Sequence, residues 1–165
     1  MKHTKNILKF LLIMVMALSL LSVSCSKDEG GSKPTNPTTV TISAADLTST
    51  LKGIVGTTKV NFSTMRTPQN GEANIGGADA KFNDVKTELT TIFAGLASNN
   101  LVALTTDIES AQRPSASSAW VVTLTMTAKS GFQFASDITT TGYGKGSKDG
   151  EITLKINITP SSSWN

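Results

Sequence analysis

Asp107 and Glu109 stand two residues apart in "LVALTTDIE", so on a strand both carboxylates face the same way. Paired carboxylates carry out glycoside hydrolysis, although a solvated strand face accounts for the same spacing. Asp137, Asp149 and Glu151 lie in and around "ASDITTTGYGKGSKDG" and offer the oxygen ligands that calcium takes, without the D-x-D-x-D-G order of a calcium loop. The glycines of "GYGKGSKDGE" invite comparison with a phosphate-cradling loop. Such a loop needs a strand before it and a helix after it, so that amides and the helix dipole converge on phosphate. Here a strand follows, and the spacing fits neither G-x-x-x-x-G-K-[ST] nor G-x-G-x-x-G. A mobile hairpin loop is expected instead, with Tyr143 at its tip as a candidate partner contact.

Other chemistries are excluded by residue type. The chain has one histidine, His3, and one cysteine, Cys25. His3 falls in a segment that reads as a leader: Lys2, Lys5 and Lys9 without an acid, then a run over residues 7–21 that is apolar except for Lys9 and Ser19. The apolar part, residues 10–17 and on to 21, is about a dozen residues, too short for a bilayer-spanning helix, which takes roughly 20. A mature chain without His or a free thiol cannot host a Ser-His-Asp triad, a Cys-His pair or an ordinary His-containing zinc site. No enzyme activity, cofactor or metal is expected.

Cys25 sits where this apolar run gives way to polar sequence, in "LLSVSCSKDEGG". "LLSVSC" resembles the lipobox of bacterial lipoproteins, in which lipoprotein signal peptidase cuts just before a cysteine that carries acyl chains. Ser22 departs from the Leu that the family prefers three positions before the cysteine, while Leu20 and Leu21 lie just upstream. The resemblance implies residues 1–24 as signal peptide and Cys25 as the lipid attachment site. Several chains on one residue hold firmly to a membrane, at about 0.8 kcal/mol per buried methylene. It also implies an outer-membrane or cell-surface location. The cluster Ser26, Lys27, Asp28 and Glu29 resembles the acidic export signal of surface lipoproteins, and reads equally as a solvated tether.

Removing the leader changes the charge balance. Three of the 15 basic residues go with it, leaving 12 against 12 acids. The mature chain is neutral, so no basic face for nucleic acid is expected. Residues 25–39, with Pro34 and Pro37 among small polar residues, read as an extended tether that could reach about 50 Å.

Residues 40–160 are then expected to form a single α+β domain, two helices packed on one face of a small antiparallel sheet. Val40 and Ile42 alternate with Thr; Ser43 and Asp46 have capping-box spacing; Leu47, Leu51 and Ile54 recur at helical spacing before Gly56. Val60 and Phe62 predict a short strand, and Pro68, Asn70 and Gly76 a turn-rich stretch. Phe82, Val85, Leu89, Ile92, Phe93 and Leu96 share one face of a helix expected over 79–97. Burying all six would contribute roughly 10–15 kcal/mol before conformational entropy is subtracted. Trp120, Val122, Leu124 and Met126 alternate with Thr123, Thr125 and Thr127; Ile152, Leu154, Ile156 and Ile158 alternate with Thr153, Lys155 and Asn157. Trp120 belongs on the buried face, and Trp164, one residue from the end, is expected to fray.

"VTLTMTAKSGFQF" followed by "GEITLKINI" resembles the end of the lipoprotein-associated repeat of variable bacterial surface lipoproteins, with Ser130, Gly131, Phe132 and Phe134 as its corner. That resemblance implies a surface module with no catalytic residues. The reading as a whole is a non-catalytic, lipid-anchored surface lipoprotein that meets an unidentified protein or glycan. The alternative is a carbohydrate-binding or glycan-hydrolysing accessory lipoprotein, which would require Asp107 and Glu109 in a pocket with Tyr143.

Overall fold

In the computed structural model, residues 39–98 and 101–165 are described. The compact unit spans Thr39–Asn165 and is α+β, with two helices and a mixed sheet. Cys25 and Ser26, Lys27, Asp28 and Glu29 lie outside the described residues.

Two strands organise the unit. β4 (Trp120–Ala128) and β7 (Glu151–Pro160) pair antiparallel from Trp120↔Ile158 to Thr127↔Glu151. Their apolar residues alternate as the sequence predicts: Trp120, Val122, Leu124 and Met126 are buried, and so are Ile152, Leu154, Ile156 and Ile158. Each such side chain contributes about 1.5–3 kcal/mol on burial, which fixes the register, since a one-residue slip of either strand would turn its four outward. β3 (Val102–Thr106) adds antiparallel to β4.

The other edge of β7 departs from expectation. β2 (Glu72–Ala78) pairs with it in parallel, so the sheet, in order β2–β7–β4–β3, is mixed rather than wholly antiparallel. The turn-rich reading of this stretch holds only for its start. Asn70 and Gly71 adopt φ of 52° and 79° and turn the chain, after which Ala73 and Ile75 alternate inward. The register shifts between Ile75 and Ala78, across Gly76 and Gly77. A bulge of this kind accommodates the glycines that obscure the strand in the sequence. Short β6 (Gly144–Lys145) takes the remainder of that edge, opposite Ile152 and Thr153. β1 (Val40–Ile42) and β5 (Phe132–Phe134) form a separate two-stranded parallel sheet.

α1 (Ala44–Lys52) starts at the expected capping box: Ser43 Oγ accepts from Asp46 N at 3.2 Å, and Asp46 Oδ2 accepts from Ser43 N at 3.0 Å. It stops at Gly53, earlier than the expected Gly56. α2 (Phe82–Ala97) buries Phe82, Val85, Leu89, Phe93 and Leu96, with Ile92 half-buried. It begins three residues later than expected, because Asp79 Oδ1 accepts from Lys81 N at 2.9 Å instead of entering the helix.

The strand expected around Val60 and Phe62 does not form. Both residues are buried, but Glu88 on α2 captures the backbone that a strand would use. Its carboxylate accepts from Thr58 N at 2.9 Å, Lys59 N at 2.9 Å and Val60 N at 3.1 Å. Phe62–Thr64 is instead one turn of 3-10 helix, capped by Asn61 Oδ1 at 3.1 Å from Ser63 N.

The unit also extends past residue 160. Trp164 is 4% exposed and does not fray. Its ring meets Phe82 edge-on at 5.7 Å, its Nε1 donates to Ser118 O at 2.8 Å, and Asn165 N donates to Ala80 O at 2.8 Å. Phe82 also meets Trp120 at 4.8 Å, so one phenyl ring joins both tryptophans.

Candidate functional site

The outer face of the sheet is polar and open. The register places Thr105, Thr125 and Thr153 in one row across β3, β4 and β7. A second row runs Thr123, Lys155, Glu72, and a third Val121, Asn157, Asn74. Val121 is 44% exposed, one of two large apolar side chains so placed among the described residues. The hydroxyls of Thr105, Thr123, Thr125 and Thr153 make no hydrogen bond to other described residues, which leaves them to water or a ligand.

At the β2 corner of this face lies a cleft of about 510 Å³, lined by Thr64, Arg66, Asn74, Ile75, Gly76 and Thr159. Arg66 is brought there by its backbone, whose N–H donates to Asn74 O at 3.1 Å. Its guanidinium has no ion pair or hydrogen bond among the described residues. Thr64 Oγ1 donates to Asn61 O at 2.8 Å and Thr159 Oγ1 to Ile75 O at 3.3 Å. With their protons committed, both hydroxyls present lone pairs to the cleft. A side chain at Gly76 would meet only Thr159 Oγ1, at 3.6 Å, so the glycine leaves the floor flat.

A second cleft, of about 380 Å³, lies beside Lys59, Asn61, Gly77, Asp79 and Ser161. Its charges neutralise each other: Lys59 Nζ and Asp79 Oδ2 are 2.9 Å apart. The Asp79 hydrogen bond raises the Lys59 pKa, while the Lys81 backbone N–H and then Lys59 lower that of Asp79. The Arg66 cleft, with an unmatched charge, is the better candidate for a ligand.

Compared with protein-family models, with curated proteins and with solved structures, the chain matches none. Function therefore rests on the residues themselves.

The structure separates the chemistry-bearing residues singled out from the sequence. Tyr143 is not at a loop tip. It is fully buried, and its hydroxyl lies 3.2 Å from Thr48 Oγ1 on α1. Burial pushes its pKa up to about 12, against the smaller opposing effect of the Thr48 hydrogen bond. The sequence reading misses this because glycines on both sides of Tyr143 imitate an exposed loop. Gly71 N in fact donates to Gly142 O at 2.9 Å, and Gly144 pairs with Thr153.

Asp107 and Glu109 follow β3 instead of lying on it. Asp107 Oδ1 accepts from Thr123 N at 2.9 Å, and Lys86 Nζ donates to the Glu109 carbonyl at 2.9 Å. They stand at the β3 edge of the sheet and Tyr143 at the β6 edge, so the three share no pocket. Glu151 braces its own hairpin, accepting from Lys148 N at 3.0 Å and Ser147 Oγ at 3.2 Å. Asp137 offers its carbonyl, not its carboxylate, to Thr140 and Thr141. Among the described residues no group of three His, Cys, Asp or Glu could hold a metal ion, and no helix is long and apolar enough to cross a membrane.

Arg66 and Asn74 are the cleft residues that sequence reasoning passed over. The alternation of Ala73 with Ile75 was a usable strand signal that would have placed Asn74 on the outer face.

Proposed function

We propose that this chain is a non-catalytic lipoprotein of the cell envelope, held by acyl chains on Cys25 and presenting Thr39–Asn165 outside the cytoplasm as an interaction module. The observation that carries this reading is the position of the only cysteine, between the apolar run of residues 7–21 and the polar run of residues 26–39. Acylation accounts for a cysteine at that boundary. The Pro-containing run behind it accounts for how a domain would stand clear of lipid headgroups.

The interaction role is supported by the open outer face with its unpaired hydroxyls and by the Arg66 cleft at its corner. The absence of His and of a free thiol from a mature chain beginning at Cys25 supports a binding role over catalysis.

Mass spectrometry of the amino terminus from native membranes tests the anchor, together with protease shaving of intact cells. An acylated Cys25 on a domain lost to external protease is the expected result. An unmodified terminus downstream of Cys25, recovered in the soluble fraction, overturns the reading.

A further inference from the structure

We infer that the Arg66 cleft binds the carboxylate-bearing sugar of an acidic polysaccharide. This deepens the interaction role proposed above and does not depend on the lipid anchor.

The groups lining the cleft divide into two kinds. Arg66 and the side-chain NH2 of Asn74 can donate hydrogen bonds, and the guanidinium fork matches a carboxylate in two parallel bonds. Thr64 and Thr159 have given their protons to Asn61 O and Ile75 O, so toward the cleft their hydroxyls accept. A ligand satisfying both kinds carries an anionic carboxylate next to hydroxyl donors, which is the chemistry of a uronic acid. A simple carboxylate would satisfy only the first kind.

Shape and surroundings agree. About 510 Å³ lies within the range of ligand pockets, roughly 300–1,000 Å³. The flat Gly76 floor admits a ring where a side chain would intrude. Asn74 sits beside Asn157 in the register, so the cleft continues onto the outer face, where neighbouring sugars of a polymer would meet threonine hydroxyls. Glu72, the nearest acid along the strand on that face, stands opposite Lys155 in the register. The cleft lining contains no acid.

The test is isothermal titration of the full-length chain with oligogalacturonate, using a neutral galactose oligomer, a sulfated neutral oligomer and polyglutamate as comparisons. Oligogalacturonate is expected to bind and the other three to bind at least about ten-fold more weakly. Arg66→Ala should weaken oligogalacturonate binding about ten-fold or more, and Arg66→Lys less, because an ammonium keeps the charge without the fork. Thermal melts of the variants are expected to match the parent, since Arg66 is exposed. Lys148→Ala, an exposed cation of the β6–β7 hairpin outside the cleft lining, should leave binding unchanged.

Four results would each overturn the inference: no binding of oligogalacturonate, equal binding after Arg66→Ala, equal binding of polyglutamate or the sulfated oligomer, or an equal loss in Lys148→Ala. The last would mean diffuse charge in place of a fork. None of these outcomes bears on acylation of Cys25, so failure here and failure of the anchor are distinguishable.

Discussion

The Tyr143 hydroxyl lies 3.2 Å from Thr48 Oγ1 and ties the segment entering β6 to α1. Tyr143 is fully buried, so ring and hydroxyl contribute separately. Tyr143→Phe keeps the ring and loses one neutral hydrogen bond, for an expected cost of about 1 kcal/mol. Tyr143→Ala empties the site and should cost about 3–5 kcal/mol. Urea unfolding of the two variants checks the ordering, and equal losses would mean that the ring is not packed as described.

The same burial predicts an alkaline limit to stability. Tyr143 has a folded pKa of about 12 against an ordinary value of 10.0, so the folded chain retains a proton that the unfolded chain releases. The Tyr143 contribution is therefore fully present below about pH 10 and is lost as pH rises toward 12, by roughly 2–3 kcal/mol in all. Tyr143 is the only tyrosine, so tyrosinate absorbance reports on it alone. A midpoint near 10 in the folded state would sink the prediction, and Tyr143→Phe should remove this component of the pH dependence.

Glu88 joins α2 to the segment before the 3-10 turn by accepting three successive backbone N–H groups, from Thr58, Lys59 and Val60. Hydrogen bonds to a charged group contribute about 1.5–3 kcal/mol each net of water, and exposure of this partly buried site lowers that figure. Glu88→Ala should therefore cost about 2–3 kcal/mol, and Glu88→Gln about half as much, since one amide oxygen still accepts. Amide hydrogen exchange should show protection lost at residues 58–60 first. Uniform loss across the domain would argue against a local clasp.

What the sequence made legible follows period and patterning. β4 and β7 were readable because eight apolar residues alternate without interruption, and α2 because its stripe repeats at helical spacing. The capping box of α1 was readable because Ser43 and Asp46 satisfy one another locally. β2 was not, because its pairing with β7 is parallel and remote in sequence, and Gly76 and Gly77 interrupt its pattern. The backbone of residues 58–60 was misread for a related reason: its partner is the Glu88 side chain, some 30 residues on. Likewise Arg66 is meaningful only beside Asn74, which β2 supplies. Local chemistry is written locally, whereas the cleft is made by a strand whose place depends on the whole sheet.

Gly142 and Gly71 meet where the β2 turn approaches β6. Gly71 N donates to Gly142 O at 2.9 Å, and a Cβ on Gly142 would come within 2.8 Å of Pro68 O, at a φ of 151°. Both contact and backbone conformation oppose a side chain, so Gly142→Ala should destabilise by about 2–4 kcal/mol. Gly95, with no atom within 4 Å of an added Cβ and a helical position in α2, serves as the contrast. There Gly95→Ala should stabilise by roughly 0.5–1 kcal/mol. Thermal melts of the pair decide between them; destabilisation by Gly95→Ala would show that its surroundings are tighter than described.

Trp164 closes the unit after β7 has ended. Its indole donates to Ser118 O, its carbonyl accepts from Arg113 at 3.1 Å, and its ring packs on Phe82, which also touches Trp120. Trp164→Ala should cost about 3–5 kcal/mol and leave Phe82 partly exposed. Trp164→Phe keeps the apolar ring and leaves Ser118 O without this donor, for a smaller cost of about 1–2 kcal/mol. Because Trp120 and Trp164 are the only tryptophans, each single variant leaves one fluorophore against the shared phenylalanine. In Trp164→Phe, Trp120 should remain blue-shifted and inaccessible to iodide. Quenching of Trp120 in that variant would show that the two rings depend on each other, and that residues 161–165 hold the start of β4 in place.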